Sequence, residues 1–183
     1  MSKKNYILMI QKTKFKDLFL IKNNIYKDKR GYFKELIREN QIQKKFPFLV
    51  MSHSKKNIIR GLHIQTKNPQ GKFVTVIKGK IFDVVLDLRK KSKTFGKVYC
   101  CMLSEKNSNS IFIPAGFAHG FQSLDKDTYI IYSCTKYRDK KSEITIDIND
   151  NNLKIKWPSK IQILSKKDKK GISFLNYKNN FIK

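Results

Sequence analysis

The chain has 183 residues, enough for one domain with a full core and too few for two comfortable ones. Its formal net charge of +26 comes from 40 Lys and Arg against 14 Asp and Glu, but the lysines are scattered along the whole length. No zinc-finger, helix-turn-helix or RNP-like aromatic pattern accompanies them, which argues against nucleic acid as the main partner.

Up to about residue 50 the pattern is broken, with apolar clusters at 15–21 and 33–37 between Lys, Asn and Asp turns. Asp28-Lys29-Arg30-Gly31-Tyr32-Phe33 reads as a turn feeding a strand, and 39–45 as one short helix. The apolar stretch at 6–10 is too short for a secretion signal and no run approaches a membrane span, so a cytosolic protein is expected. From Phe73 onward strand signals are dense. The β-branched run 73–77 ends at a hairpin-like Lys78-Gly79-Lys80, and 81–88, 97–103, 110–113 and 128–135 follow. Short strands at regular spacing, without strand–helix alternation, predict an all-β barrel or sandwich. The last thirty residues turn polar again, with Trp157-Pro158 marking a packed corner. One domain over 1–183 is the economical reading, with a core at about 28–158 and a segment 159–183 packed on it. Cys100, Cys101 and Cys134 lie in apolar runs, and an odd count without a CxxC pair fits free thiols in a reducing compartment.

Chemistry concentrates in two segments, Arg60-Gly61-Leu62-His63 and Pro114-Ala115-Gly116-Phe117-Ala118-His119, which hold two of the three histidines. In an extended chain His63 and Gln65 share a face. A neutral imidazole there is suited to taking a proton near pH 7, and equally to a structural role. His119 has two readings: a buried histidine satisfying its turn, or half of a metal-binding Pro-x-Gly-x-x-His signature. The other half of that signature, His-x-His followed by Glu, is missing, so no metal is expected. Arg60 suits a phosphate, and Lys72, beside Gly71, an enolate oxygen. Tyr132 is explained as well by core packing as by proton donation. The excess positive charge fits both a solvated lysine-rich surface and attraction to an anionic small molecule.

Several motifs in order resemble the dTDP-4-dehydrorhamnose 3,5-epimerase family: Arg60-Gly61-Leu62-His63-x-Gln65, Gln70-Gly71-Lys72, Gly79-x-Ile81-Phe82-Asp83-Val84 and Asp87-Leu88-Arg89. Ser92-x-Thr94-Phe95-Gly96, Ile113-Pro114-x-Gly116-Phe117-Ala118-His119-Gly120-Phe121 and Tyr132-x-Cys134-Thr135-x-Tyr137 continue the series. The resemblance implies a cupin-like jelly-roll β-barrel with a few short peripheral helices, a homodimer, and an epimerase without metal or cofactor acting on a nucleotide-diphospho-4-keto sugar. It implies His63 as base, Asp168 as its partner, Tyr132 as acid on the opposite face and Lys72 as the enolate's cation. Arg60, His119, Gln65 and Tyr137 are implied to line the site. Arg30, Phe33 and Glu35 are implied to reach the nucleotide, partly across the dimer. Phe48 and Val50 stand where the family commonly carries Gln and Asn, and Arg138 where many members have a second aromatic. These departures leave both dTDP-linked hexoses and GDP-linked heptoses open as substrates, destined for surface polysaccharides.

Overall fold

The computed structural model describes residues 9–182. In chain order the strands begin with β1 (Met9–Lys12), β2 (Phe19–Lys22), β3 (Ile25–Asp28) and β4 (Gly31–Lys34), followed by the one-turn helix α1 (Glu39–Ile42). The long strands come next: β5 (Phe48–Lys55), β6 (Ile59–Gln65), β7 (Lys72–Lys78), β8 (Lys80–Asp87) and β9 (Val98–Ser104). Then follow β10 (Asn109–Ile113), β11 (Phe117–Ser123), β12 (Asp127–Cys134) and β13 (Glu143–Thr145). A short 3₁₀ turn (Asp168–Lys170) and the helix α2 (Phe174–Phe181) end the described chain.

The strands form a cupin-like jelly roll. One sheet has the order β1-β2-β10-β7-β12-β5, the other β13-β6-β11-β8-β9, and β3 and β4 pair as a separate ribbon. All strand pairings are antiparallel. No described helix is long and apolar enough to cross a membrane.

Strand β8 explains how the layers are held. Its run Ile81-Phe82-Asp83-Val84-Val85-Leu86 is apolar on both faces, as a strand buried on both sides requires. Ile81 and Val85 join Val74, Val76, Leu103, Ile111, Phe121 and Ile130 in the core between the sheets. Phe82, Val84 and Leu86 point the other way and pack with Leu153, Trp157, Leu164, Ile172 and Tyr177. The segment after β13 therefore covers the outer face of the five-stranded sheet. Parallel bridges Ile58↔Ile163 and Ile146↔Ile172 fasten it at two points. Fully burying one such side chain stabilises by about 1.5–3 kcal/mol, so this cover is a substantial part of the fold. On the far side, Ile37, Ile42 and Phe46 cover Phe73 and Phe112.

The barrel starts earlier than the expected residue 28, because β2 is hydrogen-bonded to β10 and β1 to β2. Its last strand ends at Thr145 of β13, and buried Ile146, Ile148 and Leu153 carry the core on past it. Four-residue strands are too short to display an alternation that a sequence pattern can carry. The three cysteines are free, with Cys134 buried and Cys100 exposed.

Candidate active site

Between the sheets, at one end of the barrel, lies a cavity of about 440 Å³. One wall comes from the six-stranded sheet. Cross-strand register sets Lys72, Cys134 and Phe48 in one row, Val74, Tyr132 and Val50 in the next, and Val76, Ile130 and Ser52 in a third. Period-two alternation then turns Phe48, Val50, Ser52, Lys72, Tyr132 and Cys134 into the cavity. The facing wall comes from β6 and β11, where His63 and His119 are direct cross-strand partners.

Strict alternation would put Arg60 and His63 on opposite faces of β6. Both line the cavity because the pairing shifts: Phe121 faces Arg60, while His119, two residues earlier, faces His63, three residues later. One extra residue on β6 makes this bulge. Glycine permits it, since a Cβ on Gly61 (φ +121°) would lie 2.6 Å from Gly120 Cα and one on Gly120 would lie 2.6 Å from Arg60 O.

Each histidine is held by its own carboxylate. His63 Nε2 lies 2.6 Å from Asp168 Oδ1, with the ring 26% exposed and the acid 5% exposed. With Nε2–H donated to that carboxylate, Nδ1 keeps the lone pair. Asp168 arrives from the 3₁₀ turn, 105 residues further along the chain. Burial pushes its carboxyl up, but hydrogen bonding and the charge of His63, with contributions from Ser165 and the Gly61 N–H, hold it below the ordinary aspartate range. His119 Nε2 is engaged 2.8 Å from Asp83 Oδ2, both groups almost wholly buried. That bond fixes the orientation of the buried ring, and no three His, Cys, Asp or Glu side chains among the described residues gather into a metal-binding set.

The Tyr132 phenol accepts or donates one hydrogen bond, 3.2 Å from Ser52 Oγ, and its ring meets the His119 ring edge-on at 6.3 Å. Burial pushes its ionisation well up, so it stands as the neutral acid. Lys72 has no hydrogen bond or ion pair to its ammonium among the described residues. Burial pulls it down, and Cys134, Glu143 and Asp83 pull the other way. Arg60 is held by neutral partners, Nε donating to Ser54 Oγ at 3.0 Å and a terminal nitrogen to His53 O at 2.9 Å. Its charge is thus uncompensated at the cavity edge. Gln65 also lines the cavity, its amide donating to Asn68 O and its oxygen accepting from the Asp139 N–H.

Of the cavity residues that carry no signal in the sequence, two stand out. Ser52 is one. Glu143, within Lys140-Lys141-Ser142-Glu143, is the other; it accepts from Arg138 Nε at 2.8 Å and from Lys167. Burial pushes Glu143 up, yet those two cations and His63 bring it to about 2. The pair Lys167–Glu143 ties the segment that carries Asp168 to the barrel.

Four expected site residues lie off this cavity. Arg30 is bound to Asp28 at 2.6 Å on the exposed β3–β4 ribbon, Phe33 of the same ribbon is exposed, and Glu35 pairs with Arg38. Tyr137 is exposed and packs on Phe48, a lining residue, with ring centroids 5.7 Å apart. The Asp87-Leu88-Arg89 and Ser92-x-Thr94 motifs are structural. Buried Asp87 accepts from Arg89, Ser92 and Thr94, and the Arg89 guanidinium lies 4.3 Å over Phe117.

A histidine and a phenol on opposite walls, with an unpaired ammonium beside them, can take a proton from one face of a carbon and return one to the other. Comparisons agree with that chemistry. A family model described as dTDP-4-dehydrorhamnose 3,5-epimerase matches residues 12–176. The chain is 39% identical over 166 residues to the dTDP-4-dehydrorhamnose 3,5-epimerase of Methanothermobacter thermautotrophicus, across 86% of this chain and 90% of that one. It is 39% identical over 170 residues to the enzyme of that name from Salmonella typhimurium, across 88% and 93%. The solved structure of dTDP-6-deoxy-D-glucose-3,5-epimerase from Legionella pneumophila Philadelphia 1, in complex with dTDP-4-keto-L-rhamnose, matches with a TM-score of 0.88 and 37% identity, covering 91% of this chain and 93% of that one. Matched along nearly its whole length by model, sequence and structure alike, the chain belongs to the dTDP-4-dehydrorhamnose 3,5-epimerase family of isomerases.

Proposed function

We propose that the chain inverts carbon 3, carbon 5 or both in a dTDP-linked 4-keto-6-deoxyhexose, using His63 as base and Tyr132 as acid. The observation that carries this reading is the opposition of the His63–Asp168 pair and the Tyr132 phenol across one cavity. A proton on a carbon next to a ketone is acidic because the resulting charge spreads onto the carbonyl oxygen. His63 Nδ1 takes that proton, and Asp168 stabilises the imidazolium that forms. The Lys72 ammonium compensates the enolate oxygen, and its lack of a counter-ion among the described residues keeps it available for that charge. Tyr132 gives its proton to the opposite face. Arg60 and the buried His119 line the sugar and phosphate positions, and Gln65 fixes the sugar's orientation.

The exposed β3–β4 ribbon, with Arg30 and Phe33, and the adjacent Glu35 serve the nucleotide of a second protomer in a homodimer. Tyr137, packed at a tilt against Phe48 beside the cavity, offers a face to the base. A second reading, a GDP-linked 4-keto-6-deoxyheptose, is favoured by Phe48 and Val50 on the cavity wall and by Arg138 bound to Glu143, in positions where the family pattern differs. Incubation with dTDP- and GDP-linked 4-keto sugars in deuterium oxide tests both. Deuterium in the dTDP sugar, abolished by His63→Asn in a folded protein, is expected, and the number of deuterium atoms gives the number of inverted centres. Exchange undiminished in that variant would remove His63 from the role of base.

A further inference from the structure

The epimerase reading leaves one need unmet: a phenol that has given its proton to carbon must be reloaded. The Tyr132 ring sits in the core between the sheets, packed against Val74, Ile130 and their neighbours. Its oxygen has one hydrogen-bond partner among the described residues, Ser52 Oγ at 3.2 Å. Ser52 lies on β5, the outermost strand of its sheet, in the register row next to that of Tyr132, so the bond runs diagonally between strands. The hydroxyl is half-buried, lines the cavity and has no second partner among the described residues. A serine hydroxyl has one proton to give and two lone pairs, so it can donate to the phenol and accept from water together.

We infer that Ser52 orients the Tyr132 hydroxyl toward the substrate and relays a proton to it after each transfer to carbon. This rests on the epimerase reading. Tyr132 O–H breaks as the enolate's electron pair forms the new C–H bond and the ketone is restored, leaving a phenolate. Ser52 O–H then passes its proton to the phenolate oxygen while a water molecule at the cavity edge passes one to Ser52, so no free alkoxide forms. The proton first taken by His63 leaves to solvent, and the sum over one turnover is zero. Ser52 is a positioning and relay residue, acting through Tyr132 and not on the sugar.

This assignment separates two rates that a merely structural serine would lower together. Proton removal needs His63 and not Tyr132, and return of solvent deuterium from the His63 face gives exchange without inversion. In deuterium oxide, Ser52→Ala is expected to keep such exchange while inversion falls about tenfold, the order of one lost hydrogen bond at the transition state. Ser52→Thr, which keeps the hydroxyl, restores inversion. Adding Ser52→Ala to Tyr132→Phe costs nothing more. Inversion and exchange falling in step, or inversion unchanged in Ser52→Ala, would overturn the relay alone. No exchange by the wild type on any 4-keto nucleotide sugar would overturn the epimerase reading, and the relay with it.

Discussion

His63 and His119 face each other directly across β6 and β11, yet their two carboxylates come from opposite ends of the architecture. Asp83 stands on the next strand of the same sheet, whereas Asp168 comes in on the segment that covers the sheet's outer face. The rings also differ in burial, 26% of the His63 side chain being exposed against 4% of His119. One pair is partly open to a ligand, while the other lines the same cavity from an almost wholly buried position.

This contrast predicts opposite consequences for the same substitution. His63→Ala is expected to lower turnover by about 10²–10⁴-fold, the usual contribution of a general base, and to cost less stability than His119→Ala, because Asp168 keeps its Ser165 and Gly61 contacts. His119→Ala strands the buried Asp83 carboxylate, whose Oδ1 already lacks a partner. Its cost is about 3–5 kcal/mol, and His119→Ala/Asp83→Leu should recover most of it, since removing both charges removes the desolvation penalty. Urea unfolding of the three variants, beside steady-state kinetics, checks both halves.

Lys72→Met trades function for stability. The lysine is half-buried and its ammonium unpaired among the described residues, a state that disfavours its charged form in the folded chain. Methionine fills the same volume without that penalty, so thermal unfolding should shift upward while turnover drops by about 10²–10³-fold, as for a lost oxyanion partner. A drop in both would show that the ammonium has a structural partner.

The pH dependence of stability isolates Glu143. Its folded-state pKa of about 2 lies below the ordinary 4.5, so the unfolded chain binds the proton first as pH falls. The stabilisation is complete above about pH 4.5 and is lost as pH falls toward 2. Glu143→Gln should flatten the stability–pH curve in that window. It should cost about 1–2 kcal/mol at neutral pH, because Arg138 and Lys167, 53% and 45% exposed, can rehydrate. Denaturant midpoints measured between pH 2 and 7 give the comparison.

Gly61→Ala is expected to disrupt the bulge that brings Arg60 and His63 to one face. The added carbon meets backbone, not a flexible side chain, and the residue keeps a positive φ. A loss above about 3 kcal/mol is expected, with Gly120→Ala similar, since the two carbons compete for the same crossing. Thermal unfolding of both variants against Gly71→Ala, where the nearest atom is a Thr135 methyl at 3.2 Å, provides the internal standard.

The strands that sequence pattern reveals are those with apolar or β-branched runs: β7, β8, β9, β10 and β12 all stand where 73–77, 81–88, 97–103, 110–113 and 128–135 indicate. Strand β11 was hidden inside what reads as a Pro-Gly turn, because Gly120 is there for close approach to Gly61 and not for turning the chain. Strand β5 alternates half-buried and exposed residues, but its outward Leu49 and Met51 are apolar, which erases the contrast that an alternating pattern needs. The site divides in the same way. His63, Lys72 and Tyr132 sit in strands with recognisable motifs. Asp168, Glu143 and Ser52 depend on chain closure, register and a bulge, none of which a linear pattern records. Helix α2 looks like a polar tail; only Tyr177 is buried, with Ser173 capping its first turn through the Asn176 N–H.

The route by which Asp168 reaches His63 also sets an order of events during protein synthesis. Every strand of the barrel is complete by Thr145, and Asp168 is made only afterwards. Chains fold progressively as they emerge, so the two sheets can assemble, with His119 already gripped by Asp83, while His63 still lacks its carboxylate. The carboxylate that His63 meets is thus made together with the cover of the five-stranded sheet, so the last residues to be synthesised complete the packing and the histidine pair in one step.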